Sequence, residues 1–487
     1  MSTSANSMRF AGLLAGCAVL GGCVVGPNFS RPAPPALNAY PAAIMPVKPA
    51  DGVAQTIAPG VAIDPAWWRS FGSSALDDLV DAGLKGSPTL VSATAALQQS
   101  RALARQGAGV FYPQVNADAA ATREHTNPAL LGDAGSGSTY SLYTVSGSVS
   151  YALDLFGGER RSVEARDAQA DYQRNAVGAA RLLLTGSIVN AAIARAGYAD
   201  NLAVLADIVR MDSAQRDILT ARYQSGYGAW ADVLVAEQQL ADDRASLATI
   251  RQRLAAATTL LSQLMGREPA AAIPPPPALA ELVLPADVPV SLPSQLVRQR
   301  PDILEAEATL HQTSAQIGVA TAAMYPSISL TGSYGSASTA LSRLAGPAGA
   351  FWSVGPSIDI PIFHGGALLN ARRAAQSANA RALADYRQTV LVALEQTADC
   401  LQALDVDAEI AAASRSAFDA ADGNRALGAA NLSGGIIAEF DAMTLDIVAD
   451  RAGLVRAGAR AQRLQDVVAL DVASGGGWTS AAKVAPK

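Results

Sequence analysis

The sequence predicts a mixed α and β membrane protein in which a few strands are joined to very long helices. Three observations predict it: an internal duplication, strands that alternate apolar and polar residues, and two long helical runs without proline. With half of its residues apolar, about 5% aromatic and rich in alanine, the chain suits helices packed closely through small side chains.

The duplication is legible first. "SPTLVSATAALQQSRALARQGAGVFYPQV" from Ser87 reads against "RPDILEAEATLHQTSAQIGVATAAMYPSI" from Arg300, placing Pro88 over Pro301, Leu97 over Leu310, Tyr112 over Tyr325 and Pro113 over Pro326. Each half continues through a strand pair, a long helical run, a glycine-centred break and a second helix. The break repeats as well: "GYGAWADVLVAE" from Gly226 lies over "GIIAEFDAMTLD" from Gly435, pairing Asp232 with Asp441. Between the halves, "REPAAAIPPPPALAELVLPADVPVSLPS" is too proline-rich for a regular element and reads as a connector. The expected organisation is a leader at 1–22, an extended segment at 23–75, a first repeat at 76–266, the connector at 267–294, a second repeat at 295–472 and a flexible tail at 473–487.

In "YTVSGSVSYALDL" from Tyr143, one face carries Tyr143, Val145, Val149, Tyr151 and Leu153, and the other Thr144, Ser146, Ser148 and Ser150. "FWSVGPSIDIPIF" and "YPSISLTGSYG" alternate likewise, and "YPQVNADAAATRE" does so more weakly. These make about four strands in two hairpins with one apolar and one wet face. Four strands cannot close a transmembrane barrel, which takes about eight at least, so entry into a membrane requires several chains.

From about Gly158 to Gln224, and again from about Ala367 to Leu432, there is no proline. Each run would be on the order of 100 Å long at about 1.5 Å per residue. A structural coiled coil fits such helices, but the alanine-rich stripes and polar faces of Asp, Gln, Asn and Arg fit the wall of a water-filled conduit better.

At the front, "FAGLLAGCAVL" after Arg9 has the length of a secretory h-region, and Leu20-Gly21-Gly22-Cys23 has the form of a bacterial lipobox. Cys23 is the expected site of lipidation, and Val24 after it implies sorting to the outer membrane. Cys400 is then the remaining thiol, read as a packed helix residue, so neither a disulfide nor a metal site is expected. Beyond the leader no uncharged run near eighteen residues stays apolar, so a membrane crossing is expected through strands. A net charge of −6 offers no basic footprint for nucleic acid.

"VVGPNFSRP", "WWRSFGSSALDDLVDAGLKGSPTL", "LVRQRPDILEAEATLHQTSAQIGVATAAMYPSISLTGSYG" and "WSVGPSIDIPIFHGG" resemble the outer-membrane efflux lipoproteins of the NodT and OprM type, relatives of TolC. The resemblance implies a homotrimer in which three sets of four strands close one barrel and three sets of helices form a periplasmic tunnel. It also implies a periplasmic adaptor protein and an inner-membrane transporter of the proton-driven RND class as partners, with no cofactor beyond the lipid on Cys23.

The same resemblance places a gate at the helix breaks. The matching positions are Gly226, Asp232 and Tyr223 in the first half, and Gly435 and Asp441 in the second, with Asp441 the leading candidate. Leu432 stands where the first half has Tyr223, and Thr444 stands where the family often has a second acid. An apolar constriction at Ile436 and Ile437 is therefore an alternative to an acidic ring. The histidines His125, His311 and His364 are scattered and no catalytic motif occurs, so no enzyme is expected. Exit ducts for secreted proteins or metal ions, and a lipoprotein without a pore, are the competing readings.

Overall fold

The computed structural model describes residues 24–35, 55–127 and 137–478; Cys23, the leader and the end of the tail lie outside them. In chain order the elements are β1 (Thr56–Pro59), α1 (Ser74–Gly86), α2 (Pro88–Ala108), β2 (Gln114–Thr126), β3 (Ser138–Leu153), α3 (Gly158–Gln224) and α4 (Trp230–Leu264). They continue with β4 (Asp287–Val290), α5 (Pro293–Gln299), α6 (Pro301–Ala322), β5 (Ser327–Ser338), β6 (Ala350–Asp359), α7 (Ala367–Ser433) and α8 (Glu439–Ala473). The long helices of the two halves match in length, α3 and α7 at 67 residues and α4 and α8 at 35.

The chain forms two compact units, and each sequence half contributes to both. One unit, from residues 24–31, 97–127, 137–172 and 306–386 among those described, holds a four-stranded antiparallel sheet in the order β2-β3-β5-β6. Both hairpins are present, and β3 of the first half pairs with β5 of the second from Tyr143↔Ser338 to Leu153↔Ile328. Asp154 closes the turn out of β3: its carboxylate accepts the Glu159 and Arg160 amides at 3.1 and 3.0 Å, where the first turn of α3 has free N–H groups.

The other unit, from residues 32–35, 55–96, 173–305 and 387–478 among those described, is built on a large apolar core. α1 begins with Ser73 accepting the Leu76 amide at 3.3 Å and buries Leu76, Leu79 and Val80, the i, i+3, i+4 face of an amphipathic helix. Trp67, Trp68 and Phe71 pack edge to face in the same core with Ile188 and Ile193 of α3, Leu261 of α4 and Leu464 of α8.

One expectation changes here. The proline-rich connector is not irregular throughout, because its Asp287–Val290 segment pairs in parallel with Thr56–Pro59 of the segment read as merely extended. A two-stranded ribbon tolerates Pro289, which would break a ladder in a wider sheet. In addition, α3 contains an 18-residue window of mean hydropathy 1.5, long and apolar enough to cross a membrane by length and composition. Half of that window is buried, and Leu184, Ile188, Val189 and Ile193 of the helix belong to the core, so its hydropathy is used in packing.

Candidate functional site

The sheet and the helix breaks belong to different units, and each is a site in its own right. In the sheet the register collects most of the large apolar residues of the four strands on one face. Val115 lies opposite Val149, Val145 opposite Ala119, Leu330 opposite Tyr151, and Tyr334 opposite Trp352. This face is uncovered within the chain, with Val115, Trp352 and Val354 each more than 70% exposed. On the other face Ser333 and Ser353 join hydroxyls at 2.9 Å. A continuous apolar face of this extent, backed by a wet one, is foreign to a monomer in water. Among the described residues the outer edges of β2 and β6 have no pairing strand.

The segment that follows Cys23 is clamped to this unit. The Val25 amide donates to the Phe156 carbonyl at 3.1 Å, at the junction of β3 and α3. Arg161, almost fully buried, reaches Asn28 Oδ1 at 2.7 Å and Glu164 at 2.7 Å. Phe29 stacks on His311 with centroids 4.4 Å apart, and Arg31 pairs with Glu307 at 2.7 Å. Burial pushes Glu164 up, but bonds from Arg161 and from His311, at 2.9 Å, hold its carboxyl below the usual carboxylate range. His311, which the sequence left without a role, thus holds the leading segment in place.

The two helix breaks have the same backbone. At the end of α3 the Tyr227 amide returns to the Arg222 carbonyl and the Gly226 amide to the Tyr223 carbonyl, both at 2.9 Å. At the end of α7 Ile436 returns to Asn431 at 2.8 Å and Gly435 to Leu432 at 3.0 Å. These are paired Schellman bonds, and the residue between them takes the left-handed conformation, φ +80° at Gly226 and +69° at Gly435, which L side chains resist. Asp232 and Asp441 each sit three residues beyond the alanine that opens the next helix. Asp441 reaches back to the Ala438 amide at 3.3 Å, so its carboxylate caps its own helix start.

The side chains around the breaks differ. Tyr223 packs against Trp230 across the first break, with centroids 5.1 Å apart. Leu432 and Glu439 occupy the corresponding places in the second. From the first half, Arg222 lies 5.3 Å from the Phe440 ring, and Gln215 Nε2 donates to the Phe440 carbonyl at 3.2 Å and to Thr444 Oγ1 at 2.8 Å. The structure thus brings together Tyr223 with Trp230, and Gln215 and Arg222 with the start of α8. It directs Asp441 to its own backbone. Gln215, Arg222 and Phe440 escaped sequence reasoning, because nothing in their spacing reveals which helices become neighbours. The residues following the glycines, Tyr227 and Ile436, are 88% and 74% exposed.

The chain matches the family model described as outer membrane efflux protein over residues 79–267 and 292–476. It is 28% identical to nodulation protein T of Rhizobium leguminosarum bv. viciae, covering 96% of this chain and 94% of that protein. It is 31% identical to the outer membrane protein OprJ of Pseudomonas aeruginosa, over 79% and 78% of the two chains. Among solved structures, the outer-membrane channel OprN superposes with a TM-score of 0.80 at 27% identity, over 94% of this chain and 100% of that one.

Proposed function

The chain belongs to the outer membrane efflux protein family, and on that premise we propose that it serves as the trimeric exit duct of a tripartite efflux system. It is an outer membrane protein with the mixed α and β fold of the TolC-like channels. The observation that carries the proposal is the exposed apolar face of a four-stranded sheet with two unpaired edges. In a bilayer an open edge leaves backbone groups without partners, at several kcal/mol each. Three copies joined edge to edge give one closed barrel of about twelve strands. The long helices, continued from three chains, form the periplasmic tunnel.

In this reading a periplasmic adaptor and an inner-membrane transporter of the RND class deliver small toxic molecules to the tunnel, and the helix breaks close its far end. Gly226 and Gly435 turn the chain, Asp441 and Asp232 line the closure, and Tyr223 stiffens the first break. Cys23 carries the lipid. The clamp at Val25 supports this, since it holds the chain two residues after Cys23 beside the end of β3. Cys23→Ser is expected to impair processing and localisation while an assembled trimer still conducts.

Reconstitution of the purified, lipidated protein in planar bilayers tests the proposal. Discrete single-channel steps, together with a native mass of three chains, are expected. Absence of steps, also in Asp441→Ala, overturns the reading.

A further inference from the structure

About three turns from the helix breaks, Asp212 of α3 and Asp243 of α4 meet in the interior, 4% and 9% exposed. Their carboxyl groups lie within hydrogen-bonding reach of one another. Two ionised carboxylates so placed repel, and a bond between them needs a hydrogen on one of the two. Asp243 Oδ2 accepts from Gln239 Nε2 and from Arg451 Nη2 of α8, both at 2.8 Å. Asp212 Oδ2 is buried with no donor. The negative charge therefore belongs on Asp243 and the hydrogen on Asp212. Ile208 and Met211 of α3, Ile447 of α8 and the partly buried Leu247 of α4 lie within a turn of the group in sequence and pack together as an apolar cluster.

We propose that Asp212 and Asp243 hold one proton between them and, with Arg451, tie α3, α4 and α8 together close to the helix breaks, releasing the tie when that proton leaves.

Burial, the bond to Asp243 and its charge push Asp212 up to about 7, with Arg451 opposing. Burial also acts against the charge on Asp243, but bonds from Asp212, Gln239 and Arg451 hold that carboxyl below the usual carboxylate range. A second group of charges lies where α8 meets α7. There Arg425 pairs with Asp422 and, at 3.5 Å, with Asp450, and Asp446, Asp207 and Arg210 act on Asp450. Burial pushes Asp450 up against Arg425.

The sign follows from linkage. Between about pH 4 and about pH 7 the folded chain keeps a proton on Asp212 that an unfolded chain has lost, so the tie's contribution falls as pH rises through that window and is constant above it. Above the window two buried negative charges share one arginine, and α3 and α4 repel. Any effect of this on conductance rests on the channel reading, whereas the shared proton does not.

The test uses the full-length protein. Infrared difference spectra stepped from about pH 5 to about pH 9 are expected to show protonated carboxyl bands lost near neutrality, one of which Asp212→Asn removes. Asp407, also pushed up to about 7 by burial and by Asp466, and Asp471, pushed up to about 8 by burial, keep their bands in that variant. Arg451→Gln removes the opposing charge and moves the Asp212 band to higher pH, which gives a second readout if Asp212→Asn fails to fold. In planar bilayers the open fraction is expected to rise with pH by at most about tenfold per unit for each protomer, and to stay flat in Asp212→Asn. Spectra that Asp212→Asn and Arg451→Gln leave unchanged overturn the shared proton. A pH response as steep in Asp212→Asn as in the parent overturns its role in opening. Bands as expected in a protein that never conducts uphold the tie and overturn the channel reading.

Discussion

The two helix breaks have one backbone and two sets of side chains. Both end a 67-residue helix on a left-handed glycine and both start a 35-residue helix with an aspartate in its first turn. The first break adds an aromatic contact of its own, Tyr223 on Trp230, and sends Gln215 and Arg222 out to the second. Among the described residues the second shows no such ring contact across its turn and is held by those two side chains. Few residues tolerate the dihedral angles of the turn, and both breaks place glycine there. The flanking side chains differ, and those of the first half brace the second.

The largest expected effect tests the shared backbone. Gly226→Val and Gly435→Val each force a β-branched residue into the left-handed region, at about 1–2 kcal/mol or more. Equal losses in the unfolding midpoint are expected, and a marked inequality would break the equivalence of the two turns. Next, Gln215→Ala removes both bonds to the start of α8, each worth about 1 kcal/mol. Asn424, at the corresponding place in α7, is exposed, and Asn424→Ala is expected to change nothing measurable. Hydrogen exchange at residues 439–445 should rise in the first variant alone.

Trp230→Ala deletes the ring contact with Tyr223, about 0.5–1.5 kcal/mol. It should raise exchange around residues 222–230 towards that of the second break, so that the two become alike. The smallest stability change is expected for Asp441→Asn, which weakens a helix-start charge worth about 0.3–1 kcal/mol. Its informative readout is the reversal potential in bilayers: lower preference for cations is expected if Asp441 also lines the closure, and an unchanged value would leave it as a cap alone.

Much of this fold is legible in the sequence where the signal is periodic. The alternation from Tyr143 specifies which face of β3 is apolar, and within a longer proline-free stretch the glycines Gly157 and Gly226 mark the two ends of α3. The pair β1 and β4 is not legible, since each strand has four residues and each contains proline. Gly226 and Gly435 are legible as turns. The capping role of Asp441 is written in the same spacing, an acid three residues after the helix opens, but that spacing serves a gate and a cap equally well. Asp212 with Asp243, and Gln215 with Thr444, depend on which helix faces meet at which height. No single stretch of sequence encodes that.

The seam between β3 and β5 has a consequence for biogenesis. It pairs Tyr143 with Ser338 and Leu153 with Ile328, so the centre of the sheet forms only after most of the chain has been made and exported. Until then the first hairpin has an unfilled rim along β3, and closing so long a loop is slow. The rim of β3 must therefore be kept from pairing with strangers, and if three sheets close one barrel as proposed, insertion into the bilayer is expected to be a late, collective event.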